Sequence, residues 1–190
     1  MKRRPPEEVL IETARKQLGY QALPNRNTPF GQRTGYPNQK WDGSFIEFCL
    51  QETGLRHTTL PVHVSTTSAL QWYLRNGRAF KEPRPGDLVF FAFSTDSPYG
   101  EPHIGIVTDT SQFKTDGVFR TIEAQIDSGL PRARKEPDGV FERTRYLTDV
   151  LLFARPFYLP AEKTASPKSA AATPGCCWCR WPSSPPPASS

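Results

Sequence analysis

A chain of 190 residues, 36% of them hydrophobic and 12% aromatic, is long enough for one domain with a real core. Its net charge of +5 is a mild excess, and it lacks the clustered Lys/Arg face that nucleic-acid binding needs. Of its 4 cysteines only Cys49 lies in the body, so no internal disulfide can hold the body together.

The first residues, Met1-Lys2-Arg3-Arg4, are basic, but acids follow and no apolar core segment comes after them. The expectation is no signal peptide, no membrane span and synthesis in a cytoplasm. Pro5-Pro6-Glu7-Glu8 reads as a helix start, with proline in the first turn and acids facing the positive end of the dipole. Leu10, Ala14 and Leu18 recur every four residues, and Gly19 follows, which predicts helix one over about 6–18. Residues 19–40 are dense in Pro, Asn and Gly and read as a loop, with Tyr20, Phe30 and Tyr36 arguing that it is ordered.

Helix two is predicted over about 42–53, with Phe45, Ile46, Phe48 and Cys49 as its apolar face and Gly54 behind it. Asp42 can cap it directly, or Ser44 with Glu47 can form a capping box. Helix three is predicted over about 65–76, capped by Ser65 or Thr66 and burying Ala69, Leu70, Tyr73 and Leu74. His57 and His63 fall in the polar connection between these helices and carry no spacing signal.

From Pro83 the period changes to that of strands. Arg84-Pro85-Gly86-Asp87 is a turn, followed by strands over 88–93, 103–107, 118–125, 140–146 and 151–156. Polar loops fill 94–102 and 129–138, and Phe113 to Asp116 carries a turn. Helices followed by an antiparallel sheet of about five or six strands make the fold class α+β. After residue 159 the composition collapses to Ala, Pro, Ser and Thr, which predicts a disordered tail over 160–190. Cys176, Cys177 and Cys179 in that tail lack zinc-knuckle spacing and have no His nearby.

Four stretches in order resemble the CHAP branch of the NlpC/P60-like peptidoglycan hydrolases. They are Trp41-Asp42-Gly43-Ser44-Phe45-Ile46, Pro85-Gly86-Asp87-Leu88-Val89-Phe90, Pro102-His103-Ile104-Gly105-Ile106-Val107 and Thr121-Ile122-Glu123-Ala124-Gln125. The resemblance covers about 20–157 and implies a papain-like domain over 20–159, with residues 1–19 as its N-terminal helix. It places Asp42, His103 and Glu123 at the catalytic positions and Trp41, Gln125 and Asn27 at substrate-binding ones.

The departure is at the centre, because Asp42 stands where the family has its nucleophilic cysteine. A carboxylate is a poor acyl acceptor, since the product is an anhydride, and it repels an oxyanion. Cys49 lies roughly 10 Å further along the helix and reads as a small core hydrophobe. Ser44 points away from Asp42. The expected function is therefore a degenerate hydrolase that binds peptidoglycan or its stem peptides without thiol catalysis. One alternative is an active amidase or endopeptidase using Asp42, His103 and Glu123. Another is a structural subunit, for instance one associated with phage virion proteins. One histidine and two carboxylates could also hold a divalent metal, but neither metal nor cofactor is expected.

Overall fold

Helices occupy the first half of the chain and a six-stranded antiparallel sheet the second, as the α+β reading expects. The computed structural model describes residues 4–23, 25–54, 60–92, 102–126 and 138–156. The chain divides into two units, Met1–Tyr158 and Leu159–Ser190. The second lies wholly outside the described residues, and so do the tail cysteines, His57 and most of the two polar loops named above.

Helix α1 spans Pro6–Arg15 and buries Leu10, Ile11, Thr13 and Ala14. It ends a turn earlier than the leucine spacing predicts. Residues 16–19 form turns, and Leu18 is turned out to 42% exposure and leaves the apolar stripe. Helix α2, Pro29–Thr34, lies inside the stretch read as loop. Its signals are local: Thr28 accepts from the Gly31 N–H at 3.0 Å, Pro29 opens the first turn, and Gly35 closes it at φ 83°. Its Phe30 packs against Tyr20, Trp41, Phe45 and Phe48, so two of the loop's three aromatics join the core, while Tyr36 stays exposed.

Helix α3 spans Asp42–Glu52, and helix α4 spans Thr66–Arg75 with Ser65 accepting from the Ser68 N–H. In α4 Ala69 and Tyr73 are buried, Leu70 is half-buried, and Leu74 is exposed, so the apolar face is narrower than expected. The Ser44–Glu47 capping box does not form. Glu47 instead faces residue 63, and the Ser44 hydroxyl accepts from Thr34.

The strands are β1 Ala79–Phe80, β2 Leu88–Phe91, β3 His103–Asp109, β4 Val118–Ile126, β5 Gly139–Tyr146 and β6 Val150–Ala154. Helix α5, Phe113–Asp116, replaces the turn expected between β3 and β4, and the short edge strand β1 was not anticipated. The order across the sheet is β1-β6-β2-β3-β4-β5. One face, with Phe90, Ile104, Ile106 and Ile122, packs with residues of α1, α3 and α4. The other carries Val89, Phe91, Val107, Phe119 and Phe153, with Phe113 of α5 against them. That two-sided burial explains why β2 reads as an unbroken apolar run. Among the described residues no helix is long and apolar enough to cross a membrane.

Candidate functional site

The site forms where the start of α3 meets the start of β3 and the end of β4. Asp87, the acid of the Pro-Gly-Asp turn, helps to fix that frame from a distance. It accepts from the Arg84 N–H and takes both Arg155 Nε and Nη2, at 2.8 and 2.7 Å. Strand β2 then pairs with β3 so that Phe91 lies opposite His103, their rings stacked 6.1 Å apart. Strand β3 pairs with β4 so that Gly105 lies opposite Glu123. A Cβ on Gly105 would stand 2.7 Å from Glu123 Cγ. The glycine therefore leaves the space through which the glutamate reaches the histidine.

Asp42, His103 and Glu123 come together. His103 Nδ1 is 3.0 Å from Asp42 Oδ2, and its Nε2 is 3.0 Å from Glu123 Oε2. Glu123 also takes Arg145 Nε and Nη2, at 2.8 and 2.5 Å, and the Thr121 hydroxyl at 2.5 Å. Asp42 is further paired with Lys40 Nζ at 3.4 Å, and its Oδ1 accepts from the Gly43 N–H. Cations and anions thus alternate along one line: Lys40, Asp42, His103, Glu123, Arg145.

The geometry sets the charges. Burial opposes a charge on His103, but the hydrogen bonds and charges of Asp42 and Glu123 overcome it and lift its pKa from 6.5 to about 9. Burial alone would raise Glu123, yet Arg145 and His103 bring it from 4.5 down to about 2. Burial likewise works against ionised Asp42, and His103, Lys40 and the Gly43 N–H more than offset it, so its pKa is lowered. His103 is then an imidazolium that donates both protons. The histidine side chain is 12% exposed while both carboxylates are sealed, at 1% and 0%.

Gln125 completes the site from an irregular position. The β4–β5 register shifts between Ala124 and Ile126, and Gln125 adopts φ 61° there. The bulge turns its side chain toward α3. Its Oε1 accepts from the Trp41 N–H at 2.6 Å and faces the Asp42 N–H at 3.4 Å. These amides at the helix start are the donors that would receive an oxyanion in a hydrolase of this layout.

The other two expected ligand contacts are placed differently. Trp41 is fully buried, stacked on Phe30, so its side chain belongs to the core and not to an accessible surface. Asn27 is half-buried, and its side chain accepts from Gln32 within its own loop. Cys49 is fully buried, and burial pushes its thiol well above the usual range. Among the described residues no group of three or more His, Cys, Asp or Glu is arranged to hold a metal ion.

Lys40 links this network to an open groove of about 640 Å³, which His103 does not line. Tyr36 and Lys40 line it together with Val62, Val64 and Ser65 of the 60–65 segment and Trp72 of α4. The spacing of the sequence carried no sign of this groove. Nor did it reveal that His63 is fully buried against Glu47 and Tyr73. Asp87, Gly105 and Arg145 were also missed as parts of the site, although Pro-Gly-Asp and His-x-Gly were visible as motifs.

Chemically the arrangement holds charge. Both ring nitrogens of His103 are engaged by carboxylates, and the Gln125 side-chain carbonyl faces the Trp41 and Asp42 N–H groups. Asp42 is a weak base, because its partners favour its ionised form. No protein-family model, curated protein or solved structure matches the chain.

Proposed function

We propose that this chain is a degenerate CHAP-like domain that binds cell-wall peptide without cutting it. One observation carries the reading. His103 has a carboxylate on each ring nitrogen, in the place where a thiol hydrolase needs one nitrogen free. The four motifs in hydrolase order support the family, and the ion network supports the loss of its chemistry.

The ligand in this reading is a stem peptide lying in the groove beside Lys40. Tyr36 and Trp72 offer flat apolar surface to its aliphatic parts, and Lys40 offers a positive charge to a carboxylate. Sedimentation with purified peptidoglycan sacculi tests it. At low salt the full chain pellets with the sacculi and releases no soluble fragments. Failure to pellet removes the reading. Release of fragments that stops in His103→Ala replaces binding by hydrolysis.

A further inference from the structure

The second buried histidine has a geometry that the ion network does not use. His63 is fully buried, and both its backbone N–H and its Nδ1 converge on Glu47 Oε1, each at 2.6 Å. Its Nε2 lies 3.0 Å from the Tyr73 hydroxyl. A carboxylate only accepts, so Glu47 takes the His63 backbone N–H and Nδ1–H, while Nε2 shares a hydrogen bond with the Tyr73 hydroxyl. Burial, and after it the charge of Glu47, push the Tyr73 phenol upward, which keeps it a donor. Three elements are joined by this chain of bonds: α3 through Glu47, the 60–65 segment through His63, and α4 through Tyr73.

Those last two elements line the groove. Within the segment Leu60 and His63 point inward and are buried, while Val62 and Val64 line the groove. On α4, Trp72 lines the groove next to buried Tyr73. The segment also sits directly on the first turn of α3. A Cβ on Gly43 would stand 2.1 Å from the His63 carbonyl oxygen. That contact adjoins Asp42, which pairs with Lys40, another residue that lines the groove.

We propose that Glu47, His63 and Tyr73 are the positioning relay of the groove. They seat the 60–65 segment against α3, and the groove holds its ligand only while that wall is seated. His63 is a positioning residue in this scheme and touches no ligand. The proposal rests on the peptide-binding reading for its ligand and on the buried bonds alone for its geometry.

Two substitutions separate the relay from packing. Asparagine places an amide donor where Nδ1 stands, and glutamine places its amide near Nε2. Amide hydrogen exchange at 60–65 and retention on sacculi are measured for the full chain and for His63→Asn and His63→Gln. The glutamine variant is expected to expose the 60–65 amides and to weaken retention about ten- to a hundredfold, the scale of a lost hydrogen bond to a charged group. The asparagine variant keeps the bond to Glu47 and loses only the one to Tyr73, so it is expected to lose less of both than the glutamine variant. Equal behaviour of the two variants, or wild-type protection in His63→Gln, overturns the relay. Should His63→Gln fail to fold, Tyr73→Phe decides: faster exchange at 60–65 supports the relay, and unchanged exchange overturns it. If the unaltered chain does not pellet with sacculi, the peptide-binding reading falls, and the exchange measurement still decides the relay.

Discussion

Two histidines in this molecule have both ring nitrogens engaged, and α3 supplies a carboxylate to each. Asp42 and Glu47 are five residues apart, so they leave the helix about 140° apart and serve opposite sides of it. His103 lies between two carboxylates, backed by Lys40 and Arg145, and is carried to an imidazolium. His63 lies between one carboxylate and a phenol. The first arrangement strings ions along one line, and the second ties three elements together through a single carboxylate. Partner chemistry, and not the histidine or its burial, decides between them.

The largest test of that contrast removes one carboxylate from each. Glu123→Ala strands Arg145 without its carboxylate and leaves His103 with Asp42 alone, and is expected to lower unfolding free energy by about 3–5 kcal/mol. Glu47→Ala leaves two buried N–H donors of His63 without their acceptor, so the cost expected is about 1–3 kcal/mol. Urea unfolding of the two variants measures both. An equal loss, or the reverse order, would mean that the ion network is no costlier to break than the bonds around His63.

Next in size is Gly105→Ala. The added methyl meets Glu123 Cγ at 2.7 Å and must push the carboxylate off His103, at about 1–3 kcal/mol for an overpacked site. The same movement should bring the His103 pKa down from about 9 toward 6.5, read from its ring-proton NMR shifts. A destabilised variant with an unmoved titration would assign Gly105 to packing alone.

A smaller effect follows from pH. The lowered carboxylates contribute stability in full above the ordinary carboxylate value, 4.5 for Glu123, and lose it as pH falls toward about 2. The raised His103 contributes in full below 6.5 and loses its share as pH rises through about 9. The network therefore helps most between pH 4.5 and 6.5. Replacing His103 with glutamine should flatten the alkaline limb of the stability profile between those two histidine values. An unchanged alkaline limb would place the titrating group elsewhere.

The parts of the molecule that were legible in sequence are those whose signal is local. Pro5 and Pro6 with Glu7 and Glu8 mark α1, and the apolar run from Leu88 marks β2. The resemblance carried by the His-x-Gly and Glu-x-Gln strands implied that His103 and Glu123 converge with Asp42. Helix α2 escaped because six residues among so many turn formers are too few to show a period, although its Thr28 cap and Gly35 stop were there to read. His63 escaped for a different reason. Its partners lie 16 residues before it and 10 after it, and no helix or strand period links such positions. Arg145 lies 22 residues beyond Glu123, and only the register of β4 against β5 brings the two together. Motifs report the residues that touch a reacting group, while the residues that fix its charge are scattered.

The finest test asks whether position 42 can carry a nucleophile. Asp42→Cys keeps the size of the side chain near His103 and exchanges a carboxylate for a thiol. An imidazolium beside it and the start of α3 beneath it favour the thiolate. Position 42 and Cys49 are equally buried, so the difference lies in thiolate character: the thiol at position 42 should react with iodoacetamide at pH 7 faster than Cys49, followed by mass spectrometry of the two peptides. Cys49 is sealed and its thiol is raised, so it serves as the slow internal reference. Reactivity is not yet hydrolysis, because the Gln125 carbonyl still fills the Trp41 and Asp42 N–H donors. The single variant is expected to alkylate quickly and leave sacculi intact. Adding Gln125→Ala frees those donors, and any lysis regained should appear only in the double variant. Lysis by Asp42→Cys alone would mean that Gln125 gives way to the substrate, and that a single residue separates this site from a working one.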